Sequence, residues 1–165
     1  MKTILLFIGI FIFSFSYSFE SIHGDWRVDL GQDYSEAYTT NSSKSLLGIF
    51  CLGDGDCFAY LDDKTTCVSG DKAPMLLVTD KSSEDTRATC IVLPSNNGTE
   101  RHFFAFRDTD MISLMRDGNK ITIAVPLKNA GINVSKFSLR GFIDASSKAA
   151  KHYGTSSSEF ADTTY

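Results

Sequence analysis

Apolar and polar residues alternate along much of this chain, and the alternation predicts most of its structure. In residues 24–30 it places Trp26, Val28 and Leu30 on one face, which is typical of a half-buried β-strand. Eight further runs have strand character, and turn-forming residues separate several of them. The nine predicted strands are residues 24–30, 36–40, 45–51, 57–61, 74–79, 87–93, 102–106, 121–125 and 134–139.

Two segments follow a helical spacing instead. Met111, Ile112 and Met115 share one face of a short predicted helix that Gly118 ends, and a second helix is predicted over residues 142–150. A parallel βαβ fold needs helices between most strands, and they are missing here. The pattern therefore predicts a mainly β fold, an antiparallel β-sandwich or barrel of about nine short strands with a short helix and a C-terminal helix.

The N-terminus has the organisation of a secretory signal peptide. Lys2 gives a positive start, residues 4–13 form an apolar run, and Ser16 and Ser18 precede a cleavage position before Phe19. An uncleaved membrane anchor is the alternative, because the apolar stretch reaches the lower limit of about 17 residues for a spanning helix. We predict cleavage, with no stable membrane insertion afterwards. The chain then consists of a signal peptide (1–18), a single β-rich domain (19–153) and a polar, flexible tail (154–165).

Composition and charge exclude several classes of protein. Of the 165 residues, 42% are hydrophobic and 22% are charged, values that exclude general disorder and a multi-pass membrane protein. The net charge is −4, and loss of Lys2 leaves 15 basic against 20 acidic residues in the mature chain. Because a basic nucleic-acid-binding footprint is absent, no nucleic-acid partner is expected.

The four cysteines, Cys51, Cys57, Cys67 and Cys90, all lie in the mature part. In an exported protein they are expected to form two disulfides, since their spacing suits neither a zinc site nor a C-x-x-C redox motif. Residues 48–61 are expected to form a hairpin that brings Cys51 opposite Cys57, which leaves Cys67 to pair with Cys90. A nested arrangement, Cys51 with Cys90 and Cys57 with Cys67, is the alternative.

Catalytic chemistry has little support in the sequence. The chain has three histidines, His23, His102 and His152, and no G-x-S-x-G, H-E-x-x-H or Walker motif. The enzyme alternative is a small secreted hydrolase in which His102 acts with a nearby carboxylate such as Asp108 or Asp110. We expect no catalytic residues.

No metal or cofactor is expected either. Asp54, Asp56, Asp62 and Asp63 imitate part of a calcium loop, but they lack the ligand spacing and the terminal Glu of an EF-hand. They are expected to keep a hairpin tip and its exit soluble.

The aromatic residues of the mature chain are expected to form the core, with a ligand-binding aromatic platform as the alternative. Phe103 and Phe104 are adjacent in a strand and therefore point to opposite faces, so one of them is expected to be covered by a helix or a partner. The phenylalanines concerned are Phe50, Phe58, Phe103, Phe104, Phe106, Phe137 and Phe142.

Several segments share features with one group of exported proteins. Residues 111–118, 121–123 and 137–145 combine a short helix before a Gly turn, a strand, and a Ser-Leu-Arg-Gly-Phe sequence that opens a final helix. Residues 24–28 read Gly-Asp-Trp-Arg-Val, and residues 51–57 form the short cysteine hairpin. Together they resemble the end, the opening and the hairpin of the invasion-associated locus B family of exported proteobacterial β-proteins. The resemblance implies a periplasmic or secreted protein, in some members linked to host-cell invasion, without known catalytic residues.

The chain departs from that family at two places. Asp29 stands where the family usually has a cysteine after the tryptophan, and Cys67 and Cys90 fall in an additional stretch of some fifty residues. The chain also resembles exported bacterial proteins with four cysteines and no assigned activity. We therefore expect a non-enzymatic β-domain that binds an unidentified protein: an envelope component, a host component or a toxin.

Overall fold

The computed structural model describes residues 19–94, 99–127 and 131–152, which form ten strands and two short helices. The predicted signal peptide (1–18) and tail (154–165) lie outside the described residues. The strands are β1 (Phe19–His23), β2 (Trp26–Leu30), β3 (Tyr34–Thr40), β4 (Leu46–Leu52), β5 (Cys57–Asp62), β6 (Lys72–Thr79), β7 (Ser83–Pro94), β8 (Glu100–Phe106), β9 (Lys120–Pro126) and β10 (Ile132–Ser138). The helices are α1 (Met111–Arg116) and α2 (Phe142–Lys151).

All ten strands belong to one antiparallel sheet in the order β1-β2-β3-β4-β5-β8-β7-β6-β9-β10. Strands β1 to β5 form a meander, and β8 joins it by pairing with β5. The mainly β, antiparallel class with a short helix and a C-terminal helix is confirmed, but the sheet is not closed into a barrel. Its two ends nevertheless approach each other: the indole of Trp26 on β2 donates a hydrogen bond to the carbonyl oxygen of Ser138 on β10 at 3.0 Å.

The strand that the sequence pattern missed is β1. It pairs with β2 through a two-residue turn, in which His23 lies opposite Trp26 and Gly24 has a φ of +59°. The predicted first strand began at residue 24 and so merged this turn with β2. Gly141, at φ +91°, faces the same turn, and a side chain there would collide with the His23 carbonyl group.

The core lies on the inner face of the sheet, where α2 covers β2, β3 and β4. Trp26 is fully buried, and its ring centroid lies 5.0 Å from that of Phe142 at the start of α2. Ala145 and Ala149 let the helix approach the strands closely, and the Ser35 hydroxyl donates to the Ala149 carbonyl oxygen at 2.7 Å. The predicted C-terminal helix is thus confirmed as the cover of the core.

Two disulfides join Cys51 to Cys57 and Cys67 to Cys90. The first links directly opposed residues of β4 and β5, as the hairpin prediction required, and the second ties the segment after β5 to β7. The nested arrangement is wrong. On the chain-entropy model the two closures stabilise the fold by about 2 and about 3 kcal/mol.

Candidate functional site

A second apolar cluster lies on the outer face of the sheet, away from both helices. Its buried members are Phe58, Tyr60, Phe103 and Ala105, and Phe50 and Ile91 pack against them. These residues belong to β4, β5, β8 and β7, which are neighbours in the sheet. We call this region the aromatic face.

The strand alternation explains how the phenylalanines are divided. Phe103 and Phe104 do point to opposite faces, because Phe104 belongs to the core and Phe103 to the aromatic face. Phe106, Phe137 and Phe142 are in the core, so the core prediction is confirmed for these residues and for Phe104. The rings of the aromatic face contact one another, with the centroids of Tyr60 and Phe103 separated by 5.6 Å in an edge arrangement.

Gly48 allows the central ring of this face to cross β4. It lies opposite Tyr60, and an added Cβ would stand 2.6 Å from a ring carbon of that tyrosine. With no side chain there, Tyr60 extends over β4 and its hydroxyl donates to the carboxylate of Glu36 on β3. The close approach of the Tyr60 ring thus explains why a glycine occupies the middle of β4.

The carboxylate of Glu36 is the buried acid of the site. Burial raises the pKa of Glu36 above its ordinary value of 4.5, and the hydrogen bond from Tyr60 and the charge of Arg101 oppose that rise. The pKa of Tyr60 lies well above 10.0, because the ring is buried and the neighbouring Glu36 charge disfavours a phenolate. The tyrosine is therefore a fixed hydrogen-bond donor.

Arg101 joins the acids to the rings. Its guanidinium group lies 3.6 Å from the Glu36 carboxylate and 3.4 Å from that of Asp62. The same group lies over two rings, 5.5 Å from the Tyr60 centroid and 5.9 Å from that of Phe103. These distances allow cation–π attraction, so Arg101 both neutralises the buried acid and covers the aromatic rings.

Arg107 has a similar position at the opposite end of the face. Its guanidinium carbon lies 4.4 Å from the Phe58 ring centroid, and the group is ion-paired with Asp56 at 2.8 Å. Both arginine side chains remain partly exposed. The rings are thus bordered at each end by a partly exposed arginine that is ion-paired with a carboxylate.

A cleft of about 190 Å³ opens between these side chains. Its lining combines four aromatic rings with three aliphatic side chains, and the exposed charges among the lining residues belong to Arg101 and Arg107. We call it the aromatic cleft. The residues that line it are Glu36, Phe50, Leu52, Phe58, Tyr60, Ile91, Leu93, Arg101, Phe103 and Arg107. None of these ten is a serine, threonine, cysteine or histidine, so the lining offers a binding surface without a common nucleophile or imidazole base.

The structure places His102 apart from Asp108 and Asp110, the carboxylates named for the hydrolase alternative, and beside Glu100 instead. His102 lies near the start of β8 on the inner side, with Nδ1 3.0 Å from the Cys67 carbonyl oxygen and Nε2 3.5 Å from Glu100. Asp108 and Asp110 follow the other end of that strand, where Asp108 binds Lys72 and Asp110 caps α1.

The four aspartates of the calcium alternative are also apart. Asp54 and Asp56 lie at the tip of the β4–β5 hairpin, whereas Asp62 and Asp63 lie at the opposite end of β5. Asp63 accepts a hydrogen bond from the Asn133 side chain at 2.9 Å. The expected solubilising role is wrong for Asp62 and Asp63, which are buried, and Asp62 is ion-paired with Lys64 and Arg101.

One group in the described residues has metal-ligand proximity: Cys67, Cys90 and His102. Its two sulfur atoms are bonded to each other in the disulfide, so they are not available as thiolate ligands. The other histidines contact different parts of the fold, with His23 beside Ser21 and His152 beside the Gly31 carbonyl oxygen.

Sequence reasoning missed Glu36, Arg101 and Arg107, the three charged residues that line the cleft. One signal for the site was present, because residues 58–61 read Phe-Ala-Tyr-Leu, apolar at every position. A strand without polar alternation is typical of burial on both faces. That pattern predicts cover on the outer face, although it does not identify the covering residues.

Comparison of the chain with protein-family models, with curated proteins and with solved structures found no match. Within the described part of the chain, neither helix has the length and apolar character that crossing a bilayer requires. The disulfides indicate an oxidising environment outside the cytoplasm.

Proposed function

We propose that this protein is exported, loses residues 1–18, and acts in the periplasm or outside the cell as a non-enzymatic protein-binding domain. The signal-peptide pattern and the two disulfides support export. The resemblance to the invasion-associated locus B family supports a role in the cell envelope or in contact with a host.

The aromatic cleft is the observation that carries the binding proposal. It faces outward, while the buried residues of both helices belong to the core on the other face. Binding hot spots are typically aromatic and arginine side chains in a desolvated pocket, and this cleft combines four aromatic rings with two arginines. Part of the apolar lining is exposed, with Leu93 at 44%, so its burial against a partner would be favourable.

Binding is favoured over catalysis because of the composition of the cleft. Its lining lacks the usual nucleophiles, and His102 lies on the other face of β8. Replacement of His102 by Ala should therefore leave partner binding unchanged, whereas a hydrolase would lose activity.

Site-specific photo-crosslinking in cells that export the protein tests the function. A photoreactive residue replaces Leu93 at the cleft, and a matched control replaces Leu76 on another part of the outer surface. The two leucines have similar exposure, 44% and 41%. We expect one defined protein adduct from position 93 that is absent from position 76. Equal adducts from both positions, or none from position 93, would contradict the proposal.

Export has its own test. The protein isolated from the exporting cell should begin at Phe19 and contain two disulfides when its mass is measured. A mass that retains Met1 and four free thiols would contradict export.

A further inference from the structure

We propose that the aromatic cleft receives one aromatic or branched aliphatic side chain from an acidic segment of the partner protein. This inference rests on the proposed function and adds the chemistry of the bound segment.

The volume of the cleft indicates a single side chain. A cavity of about 150 Å³ holds a benzene molecule, whereas sites for whole small-molecule ligands are about 300–1,000 Å³. At about 190 Å³, the aromatic cleft can enclose one ring or one branched aliphatic group but not a typical free ligand. A side chain that projects from a protein surface meets this condition, because the rest of its chain remains outside.

The lining favours an apolar group at the bottom of the cleft. Phe58, Tyr60 and Phe103 are nearly completely buried and hold one another in place. The hydroxyl group of Tyr60 is already bound to Glu36, so the ring is the part of Tyr60 that is left for a guest to contact. A guest ring would add further ring–ring contacts, and a branched aliphatic group would add apolar burial.

The charges at the ends of the cleft favour carboxylates beside that group. Glu36 is the one acidic residue among the ten that line the cleft, and it is buried and bound to Tyr60 and Arg101. The arginine side chains are 40% and 46% exposed. Arg101 already pairs with Glu36 and Asp62, and Arg107 pairs with Asp56. A guanidinium group has five N–H donors, so each arginine can still bind a further carboxylate while its plane stays over a ring. Acidic residues on either side of the inserted group would therefore be complementary to the cleft.

Peptide titration of the full mature protein, with its disulfides intact, tests this inference. The probe is acetyl-Ser-Glu-Phe-Ala-Asp-amide, and the controls are acetyl-Ser-Lys-Phe-Ala-Lys-amide and acetyl-Ser-Glu-Ala-Ala-Asp-amide. We expect the probe to shift the NMR signals of the Phe58, Tyr60 and Phe103 rings and to bind at least tenfold more tightly than either control. High salt should weaken the probe's binding, because exposed charges are screened.

Variants locate the binding and its charge dependence. Arg107→Gln should weaken probe binding severalfold, and Leu93→Trp should abolish it by filling the cleft. Arg87→Gln is the matched control, because Arg87 is an exposed arginine on β7 that does not line the cleft. Equal affinity for the acidic and basic peptides, or signal changes outside the aromatic face, would overturn the inference.

Two other occupants are tested in the same assay. N-acetyl-phenylalanine supplies an apolar ring and a carboxylate without a peptide segment, and affinity equal to that of the probe would overturn the assignment to a protein. Residues 158–162 of this chain have the probe's sequence, so the probe is also titrated into the Phe160→Ala variant. Unchanged affinity supports an external segment, whereas a gain of tenfold or more would assign the cleft to the chain's own residues and overturn it.

The experiments distinguish failure of this inference from failure of the proposed function. Crosslinks from position 93 together with no preference for acidic peptides would overturn the inference alone. Absence of those crosslinks would contradict the proposed function itself.

Discussion

Apolar side chains on the outer face of the sheet are buried in one half of the sheet and exposed in the other. On the aromatic face, Phe58 and Phe103 are each only 7% exposed although neither helix covers them. On the outer face of β6, β9 and β10, Ile132 and Val134 are 66% and 51% exposed. We call this second region the aliphatic face; its residues are Leu76, Val78, Ala124, Ile132 and Val134.

The difference shows that side-chain reach and charge, rather than hydrophobicity alone, bury an outward sheet face. Neighbouring strands lie about 4.8 Å apart, and the Tyr60 ring crosses that distance while short, β-branched valine and isoleucine do not. Arg101 and Arg107 then lie over the rings with their charged groups still in contact with water. The aliphatic face has no such cover among its named residues, so its side chains stay exposed.

The largest expected effect comes from removing one ring. Phe103→Ala should lower the free energy of unfolding by about 3 kcal/mol, because a buried phenylalanine is replaced by a cavity. Ile132→Ala on the aliphatic face should change it by less than about 0.5 kcal/mol, because that side chain is already exposed. Urea denaturation of both variants measures the difference, and losses of equal size would refute the comparison.

Removal of Arg101, which covers the rings of the aromatic face, should have the next largest effect on the free energy of unfolding. Arg101→Met should destabilise the fold by about 2 kcal/mol, less than the loss of one partner from a fully buried pair because Arg101 is partly exposed. Adding Glu36→Gln should recover part of this loss, since the buried Asp62 still pairs with Lys64 and Glu36 no longer carries an unpaired charge. Arg87→Met serves as the control and should have little effect. A double-mutant cycle with zero coupling energy would contradict a stabilising interaction between Glu36 and Arg101.

A smaller effect should appear in the pH dependence of stability. Burial raises the pKa of Glu36 in the folded state, so the folded protein binds more protons than the unfolded chain above pH 4.5. The stabilisation from this group is complete below pH 4.5 and is lost as the pH rises through the folded pKa. Glu36→Gln should therefore gain stability relative to the wild type as the pH rises from 4.5. Urea denaturation at several pH values measures this, and a constant difference would contradict a raised pKa.

Three other carboxylates have lowered pKa values, so the pH dependence of their stabilisation is opposite to that of Glu36. Hydrogen bonds from Asn119 lower the pKa of Asp80 to about 2, and hydrogen bonds also lower the pKa values of Asp25 and Asp110. Their stabilisation is present above the ordinary pKa and is lost as the pH falls through the folded pKa. These three groups, unlike Glu36, should therefore lose their contribution to stability in acid, and the loss should be small because Asp25 and Asp80 are exposed to solvent.

The smallest effect on stability is expected on the aliphatic face. Val134→Lys should change the free energy of unfolding by less than about 0.5 kcal/mol, because the side chain is half exposed. It should also reduce self-association at high protein concentration, since β10 is an edge strand of the sheet and a lysine disfavours edge pairing. Light scattering measures the association; unchanged scattering together with a large loss of stability would show that this face is packed.

Local patterns in the sequence predicted the elements but not the site. The strands and helices follow from alternation and helical spacing, and the Cys51–Cys57 disulfide follows from a hairpin whose pairing is local. Glu36 and Arg101 are far apart in sequence, and they meet because β8 pairs with β5 and Tyr60 reaches across Gly48 to β3. That arrangement depends on the order of strands in the sheet, which periodicity does not contain.

Filling the aromatic cleft tests most directly whether it binds a partner or is only a second core. The affinity of the partner captured at position 93 should be measured by calorimetry for the wild type and for Leu93→Trp, together with their free energies of unfolding. We expect the tryptophan variant to be at least as stable as the wild type and to bind at least tenfold more weakly. Equal affinity in a folded variant would show that the cleft is not the binding site.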